Sequence, residues 1–337
     1  MNLPEPVAGD GEVLVDIHAI GINFPDLLAT KGQYQHKPDL PFVPGCEIAG
    51  VIRSAPDGSG WGPGQRVAAF VWQGGFAQVA SVPPRALVEV LDETELSTAA
   101  MVVNYHTVLF ALDRRARTQR GERVLVLGAA GGIGTAGLQV AKGLGARVVG
   151  GVANDEQRAT AVAAGADEVV VLAEGFAAQL RELTGGRGVD VVLDPLGDWI
   201  FDEAVRAFAP EGRILVVGFA AGGIPKLAVN RLLLRNAAAV GVAWSAFLDL
   251  DPRLMKASGQ RLKRDARRRV RPAARRGSWS ATAKASITSP SRTRGSARPR
   301  ASSGRPACVS PSTRWRATPA SPSSTSRSST LTAPPGR

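Results

Sequence analysis

The stretch Val124-Leu125-Val126-Leu127-Gly128-Ala129-Ala130-Gly131-Gly132-Ile133-Gly134 decides the fold of this chain. Its first four residues form an apolar run with the length and composition of a buried parallel strand. Apolar residues then recur at helical spacing until Gly145, and Arg147–Gly150 is predicted as a second strand. Small residues in such a turn let the backbone approach a pyrophosphate, and the helix N-terminus adds free N–H groups and a positive dipole end. The stretch therefore predicts a dinucleotide-binding unit.

The glycine fingerprint of this turn is incomplete, because Ala129 stands where its first glycine is expected. Glycine turns also follow strands for steric reasons alone, so a purely structural turn is the alternative. A strand before the turn, a helix after it and a second strand at the right distance favour cofactor binding. The turn residues predicted to contact the cofactor are Ala129, Ala130, Gly131, Gly132, Ile133 and Gly134.

The pattern on either side of residue 97 predicts two domains of different class. Residues 12–80 hold short strands separated by glycine and proline turns, which predict a small barrel-like β domain. From Ser97 to Gly218, helices and strands alternate, as in a doubly wound parallel sheet. Ligands of such sheets lie beyond the carboxyl ends of the strands. Four loop residues are therefore expected to line the cofactor crevice, namely Gly197, Gly218, Phe219 and Ala220.

The positive charge of the chain is concentrated near its C-terminus. The formal net charge is +12, but residues 258–337 alone hold 17 Arg and 2 Lys against one acid, Asp265. Any affinity for nucleic acid would therefore reside in this tail alone. Two cysteines cannot form a disulfide framework or a four-cysteine zinc site, and no apolar run reaches the length of a membrane span. We expect a cytoplasmic protein with neither a membrane partner nor a specific nucleic-acid partner.

Several motifs occur in an order that resembles one known superfamily. They are Asn23-Phe24-Pro25-Asp26, Pro44–Gly50, Gly64–Val67, Gly75–Ala77, the glycine turn and Asn230–Asn236. Together they resemble the medium-chain dehydrogenase/reductase superfamily, most closely its zinc-independent quinone oxidoreductase branch. The resemblance implies a GroES-like catalytic domain at residues 1–97 without its first strands, a Rossmann NADPH-binding domain at 98–240, and a return toward the catalytic domain at 241–257. It also implies a homodimer when the protein is complete.

The resemblance implies roles for individual residues in the expected active site. Asn23 and Tyr34 match positions of polar active-site groups, although Asn23 as a turn residue and Tyr34 as a loop aromatic are the alternatives. Thr107 matches a position near the nicotinamide, and packing within a helix is its alternative. Asp26 and Glu47 are predicted to cap or hydrogen-bond near the cleft.

A zinc site is not expected. The zinc-dependent branch of the superfamily places its ligands where Asn23, Cys46 and Val103 stand here. Only Cys46 among them can bind a metal, and one soft ligand does not hold zinc. We therefore interpret Cys46 as a small core residue. No ligand spacing joins the histidines, which are predicted to be bystanders: His18, His36 and His106.

The residues after the second strand favour NADPH over NADH. NAD sites place a carboxylate there for the ribose 2′-hydroxyl, but Val152-Ala153 stand near that position. Arg158 and Asn154 are predicted to hydrogen-bond a 2′-phosphate instead. Asp155 is the opposing observation, because a shift of one residue would place its carboxylate on the ribose. A solvated helix residue is the alternative for Arg158.

Two classes of function follow from these sites. The first is an NADPH-dependent oxidoreductase that transfers hydride to a quinone or an α,β-unsaturated carbonyl without zinc. The second is a non-catalytic NADPH-binding protein, because the catalytic domain is expected to be incomplete. NADPH consumption with a conjugated acceptor, set beside simple NADPH binding, discriminates between them.

The chain after Met255 is predicted to lose all strand and helix pattern. Residues 258–337 contain five Val, Ile, Leu, Met and Phe in total, too few to offset the entropy of ordering. We expect a basic low-complexity tail that is disordered or results from a reading-frame shift near residue 257. An evolved basic arm that binds phosphate backbones is the alternative.

Overall fold

The structure is a computed structural model that describes residues 4–270, with side-chain burial described as far as Asp265. Within that part of the chain, eleven strands form a five-stranded and a six-stranded sheet. None of the helices in this part is long and apolar enough to cross a membrane.

The five-stranded sheet is antiparallel and forms the core of the first domain. Its strands are β1 (Val13–Gly21), β2 (Glu47–Ser54), β3 (Arg66–Phe70), β4 (Val79–Val82) and β5 (Leu87–Glu89). Their spatial order is β4-β1-β2-β3-β5. Helix α1 (Phe24–Thr30) follows β1 directly. Alternating β1 residues are buried on one face, as expected for a sheet with one face on the core. This confirms the predicted β domain.

Two short helices lead from the first domain into the second. They are α2 (Leu96–Ala99) and α3 (Val102–Leu109), and α3 continues into a π-helical turn at Phe110–Arg115. The turn is mostly apolar at its start and buried there. Helix α3 therefore lies at the junction of the two sheets, where a ligand between the domains would be bound.

The six-stranded sheet is parallel throughout. Its strands are β6 (Arg123–Leu127), β7 (Arg147–Val152), β8 (Glu168–Val171), β9 (Val189–Asp194), β10 (Phe208–Val216) and β11 (Ala238–Gly241). Their spatial order is β11-β10-β9-β6-β7-β8. The order reverses between β6 and β9, as in a dinucleotide-binding sheet. The predicted doubly wound domain is confirmed.

The helices of this domain cover both faces of the sheet. They are α4 (Gly132–Leu144), α5 (Arg158–Ala163), α6 (Phe176–Leu183), α7 (Asp198–Arg206) and α8 (Asn230–Leu233). Close packing of α4 on the end of β6 requires Gly134, because a Cβ there would lie 2.0 Å from the carbonyl oxygen of Gly128. The turn is therefore built for close backbone approach.

The chain returns to the first domain through α9 (Trp244–Phe247) and α10 (Leu254–Val270). The prediction that helical pattern ends at Met255 was wrong for the residues up to Val270. The sequence of α10 has few apolar residues, so no hydrophobic pattern predicts it. Polar contacts hold much of this helix instead: Ser258 contacts His106, Arg261 pairs with Asp113, and Lys263 pairs with Glu89. The predicted tail beyond residue 270 lies outside the described residues.

Candidate active site

Asn23 stands at the junction between β1 and α1 and begins the helix. Its backbone N–H donates to Asp26 Oδ2 at 2.7 Å, and Pro25 in the first turn presets the helical backbone. Asp26 is buried. The prediction that Asp26 caps this helix is confirmed, and the cap fixes the backbone from which the Asn23 amide projects.

Glu47, the first residue of β2, connects the Asn23 amide to α3. Asn23 Nδ2 donates to Glu47 Oε1 at 2.8 Å, and the Val103 backbone N–H donates to Oε2 at 2.7 Å. The predicted hydrogen-bonding role of Glu47 is confirmed. Burial raises the pKa of this carboxyl to about 7, against the lowering effect of the two hydrogen bonds.

Cys46 and Tyr34 complete the cluster around Asn23. The Cys46 thiol is buried 3.7 Å from Asn23 Nδ2, and burial, with the nearby Asp26 carboxylate, raises its pKa well above the usual range. The thiol is therefore neutral, as expected for a core residue. Burial also raises the pKa of the Tyr34 phenol, while a hydrogen bond that its oxygen accepts from the Ser245 side chain lowers it. Tyr34 thus remains a proton donor at neutral pH.

Ser245 and Trp244 are parts of this region that the sequence did not reveal. Both come from α9, more than 200 residues after Asn23 along the chain. The Trp244 ring is buried and packs edge-on against Phe70, with ring centroids 5.2 Å apart. No local motif marks these residues, because only the return of the chain brings them to the first domain.

The residues of the cluster do not fit a zinc ion. Asn23, Cys46 and Val103 do converge, since Cys46 Sγ lies near the Asn23 amide and Val103 bonds the same glutamate as Asn23. They offer one amide, one buried neutral thiol and one valine. Within residues 4–265, no group of three or more His, Cys, Asp or Glu side chains could hold a metal. The donor set therefore lacks the ligands that structural and catalytic zinc sites use.

The glycine turn lies beside this cluster, and α3 joins the two. Val103 contacts Glu47, while the next residue, Asn104, faces the start of α4: a Cβ on Gly132 would lie 3.0 Å from its side-chain amide. Thr107 is buried one turn further along α3. Asn104 was not predicted as a site residue, because only the packing of α3 on α4 brings it to the turn. Small residues at the N-terminus of a 13-residue helix suit a pyrophosphate.

The loops after β9 and β10 lie together at the carboxyl ends of these strands, as predicted. The Ala220 backbone N–H donates to the Pro195 carbonyl at 3.0 Å. Gly197 has φ of 69°, and a Cβ there would lie 2.9 Å from the Phe219 ring. A Cβ on Gly218 would lie 3.4 Å from the Pro195 carbonyl oxygen, so the structure brings the loop that holds Gly218, Phe219 and Ala220 close to the loop that holds Gly197. Their contact with a cofactor stays a prediction.

Asn154 and Arg158 lie after β7, the strand beside the glycine turn, and both are engaged with neighbours. Asn154 Oδ1 accepts from the Gln157 backbone N–H at 3.2 Å and caps a short 3₁₀ turn. Arg158 donates to Asp155 Oδ1 through Nε and Nη2, at 3.1 and 2.9 Å, and to the Val169 carbonyl at 2.8 Å. The two residues that argue for different cofactors therefore form an ion pair with each other.

Comparison with known proteins places this geometry in a family. Residues 9–92 match the alcohol dehydrogenase GroES-like domain, and residues 132–258 match the zinc-binding dehydrogenase domain. Quinone oxidoreductase-like protein 2 of Bos taurus is 41% identical over 248 residues, which are 72% of this chain and 71% of the relative. The chain belongs to the quinone oxidoreductase-like branch of the medium-chain dehydrogenase/reductase superfamily. The resemblance found in the sequence is thereby confirmed.

Solved structures of this superfamily share the fold. A probable oxidoreductase from Mycobacterium abscessus is 45% identical, with a TM-score of 0.72 over 79% of this chain and 82% of that one. The quinone oxidoreductase from Thermus thermophilus, studied also in complex with NADPH, is 34% identical, with a TM-score of 0.65 over 77% of this chain and 80% of that one. The superfamily is one of oxidoreductases.

Proposed function

We propose that this protein transfers hydride from NADPH to a quinone or an α,β-unsaturated carbonyl without a metal. One observation carries the proposal: hydrogen-bond donors, Asn23 and Tyr34, stand with a neutral thiol where zinc ligands would converge. Similarity to the quinone oxidoreductase from Thermus thermophilus, whose structure includes an NADPH complex, supports the cofactor.

In this proposal, residues of the chain position the cofactor and the acceptor relative to each other. The turn at Gly131–Gly134 would hold the pyrophosphate with its backbone N–H groups and the positive end of α4. Asn104, Thr107 and the loop Gly218–Ala220 would border the nicotinamide ring. When bound, NADPH supplies the hydride. The protein supplies position, which in well-oriented reactions removes a large part of the barrier.

The acceptor must tolerate the absence of a Lewis acid. An isolated carbonyl needs strong polarisation, which zinc provides elsewhere in the superfamily. A quinone or an enone instead spreads its developing negative charge onto oxygen by conjugation. The Tyr34 hydroxyl donates to that oxygen, together with the second N–H of the Asn23 amide, which otherwise meets only the weak acceptor Cys46 Sγ at 3.7 Å. Two neutral donors are sufficient for an acceptor of this reactivity.

The test uses the full chain after exhaustive treatment with a metal chelator. NADPH oxidation is followed with 1,4-benzoquinone and with an enone, and NADPH binding is measured in parallel by its fluorescence. We expect turnover that chelation leaves unchanged. Binding without turnover would identify the protein as a non-catalytic NADPH-binding protein, and activity that chelation removes and zinc restores would contradict the metal-free mechanism.

We also propose that the protein forms a homodimer through the edge of its parallel sheet. Strand β11 lies at that edge, so its outer backbone groups have no neighbouring strand within the described sheet. Large apolar side chains near it are at least 74% exposed: Ile224, Val229, Leu233 and Leu234. A second copy related by a two-fold axis would cover these side chains and pair the two strands.

A further inference from the structure

The carboxylate of Glu47 occupies a space that β1 leaves open for it. Glu47 is 1% exposed. A Cβ on Gly21, its partner in the β1–β2 ladder, would lie 1.7 Å from Oε1. Any other residue than glycine would therefore displace the carboxylate. Both oxygens accept hydrogen bonds, one from Asn23 of α1 and one from Val103 of α3. The group thus joins three elements at one point.

Within the part of the chain that the structure describes, the groups around Glu47 contribute no positive charge. Asp26 of α1 carries a carboxylate whose charge raises the Glu47 pKa, and the Cys46 thiol beside it is neutral. Gly21 on β1 and Phe70, the β3 ladder partner, carry no charge, and α3 presents the Val103 backbone N–H. An ionised carboxylate here is held by two N–H donors alone, which offset only part of the loss of water.

We propose that Glu47 is a positioning residue for the reductase reaction, and that its ionised carboxylate fixes the amide of Asn23 and ties it to α3. The inference rests on the function proposed above. The Asn23 Nδ2 group donates to Glu47 Oε1 at 2.8 Å and to Cys46 Sγ at 3.7 Å, and the two contacts together fix the plane of the amide and the direction of its second N–H, toward the thiol. Pre-organised donors of this kind need no rearrangement when charge develops on the acceptor.

Protonation of Glu47 weakens this arrangement. Both oxygens of the carboxyl face N–H donors, from Asn23 and from Val103, and a neutral carboxyl, one of whose oxygens carries an O–H, is a weaker acceptor for them than a carboxylate. The active form is therefore the ionised one. With a pKa of about 7, activity rises with pH across neutrality.

The stability of the fold depends on pH in the opposite direction to activity. This difference distinguishes a positioning role for Glu47 from a structural role. A carboxyl whose pKa is higher in the folded state than in the unfolded state binds more protons when folded. Its contribution to stability is present below the unfolded pKa and is lost as pH rises through the folded pKa. The ionised group that the reaction needs thus destabilises the fold. A carboxylate retained only for structure would be expected to stabilise the fold in its ionised form.

Steady-state kinetics of the full chain test the proposal with NADPH and 1,4-benzoquinone from about pH 5.5 to about pH 8.5. In Glu47→Gln we expect kcat to fall on the order of 10–100-fold at the upper end, with the rise across neutrality gone and KM for NADPH unchanged. The matched control is Glu203→Gln on α7, a buried glutamate that accepts hydrogen bonds from Arg206 and from the Ala177 backbone N–H, outside the proposed site. It should retain the wild-type profile.

Two further measurements make the inference independent of a folding defect. In an Asn23→Ala background, Glu47→Gln should lower kcat no further, because Glu47 acts through Asn23. The thermal midpoint of wild type should fall relative to that of Glu47→Gln between about pH 5 and about pH 8. Additive losses in the double variant, or a pH–kcat profile that Glu47→Gln leaves unaltered, would overturn the proposal.

An experiment without turnover separates this inference from the proposed function. The Asn23 side-chain amide resonance, identified by its loss in Asn23→Ala, should shift with a midpoint near pH 7 in wild type and stay constant in Glu47→Gln. If wild type turned over no conjugated acceptor, the proposed function would fail. If the amide resonance did not respond to Glu47, the positioning role would fail.

Discussion

At the scale of single residues, the proposed active site consists of hydrogen-bond donors whose protonation state follows from burial. Burial raises the pKa values of Tyr34 and Cys46, and the Asn23 amide donates to Glu47. The sequence indicated Asn23 and Tyr34 through family motifs alone. It could not indicate Ser245, because a single serine in an apolar stretch has no pattern and acquires its contact only through the fold.

The double variant Asn23→Ala, Tyr34→Phe tests the two donors. We expect kcat/KM for a conjugated acceptor to fall about 10–100-fold, less than the 10²–10³ typical for one donor in an oxyanion hole, because the acceptor is intrinsically reactive. The affinity for NADPH should remain, since neither residue belongs to the glycine turn. Stopped-flow rates and fluorescence titration give the two quantities, and unchanged turnover would remove both residues from the mechanism.

We expect the ion pair between Arg158 and Asp155 to control the cofactor preference. Arg158→Ala should lower the ratio of NADPH to NADH affinity about tenfold, through loss of a charged hydrogen bond to the 2′-phosphate. Asp155→Ala should raise the same ratio, because it frees the guanidinium from its present partner. Titration with both cofactors measures the ratio. A ratio insensitive to either change would show that the phosphate binds elsewhere.

At the scale of elements, the sequence predicted the helices and strands that have a periodic apolar pattern. It did not predict the elements that are held by contacts with residues distant in sequence. The βαβ unit was found because strand, turn and helix each carry a local signal. Helix α10 was missed since its mean hydropathy is low and its partners lie far away in sequence. The site edge contributed by Asn104 was missed for the same reason, as it depends on how α3 packs on α4.

Ser258 is predicted to anchor α10. Its hydroxyl donates to the Leu254 carbonyl at 2.6 Å, so the Nδ1–H of buried His106 donates to Ser258 Oγ at 2.7 Å. Ser258→Ala leaves that donor unpaired and should lower the free energy of unfolding by about 1–3 kcal/mol. Urea unfolding of the full chain measures the loss, with the exposed Arg264→Ala as a control of small effect. Equal stabilities would contradict the anchoring role.

At the scale of the whole molecule, the two sheets meet at α3, beside which the proposed site lies. The proposed dimer adds a second copy at the β11 edge of the six-stranded sheet. Replacing both Leu233 and Leu234 by Asp should give a monomer in sedimentation velocity, because the charges would be buried without partners at the interface. Val162→Asp on α5, another exposed apolar position, is the control and should leave the dimer intact. A wild-type monomer would contradict the proposal.

Deuterium transfer tests the central claim most directly. The full chain, freed of metal with a chelator, is given an enone and NADPH deuterated at the transferable position of the nicotinamide. Hydride transfer to a conjugated acceptor places the deuterium on the β-carbon of the saturated product, and mass spectrometry and NMR locate it there. The account predicts deuterium at that carbon without added metal; a product that lacks it, or that gains it only when zinc is returned, would contradict the account.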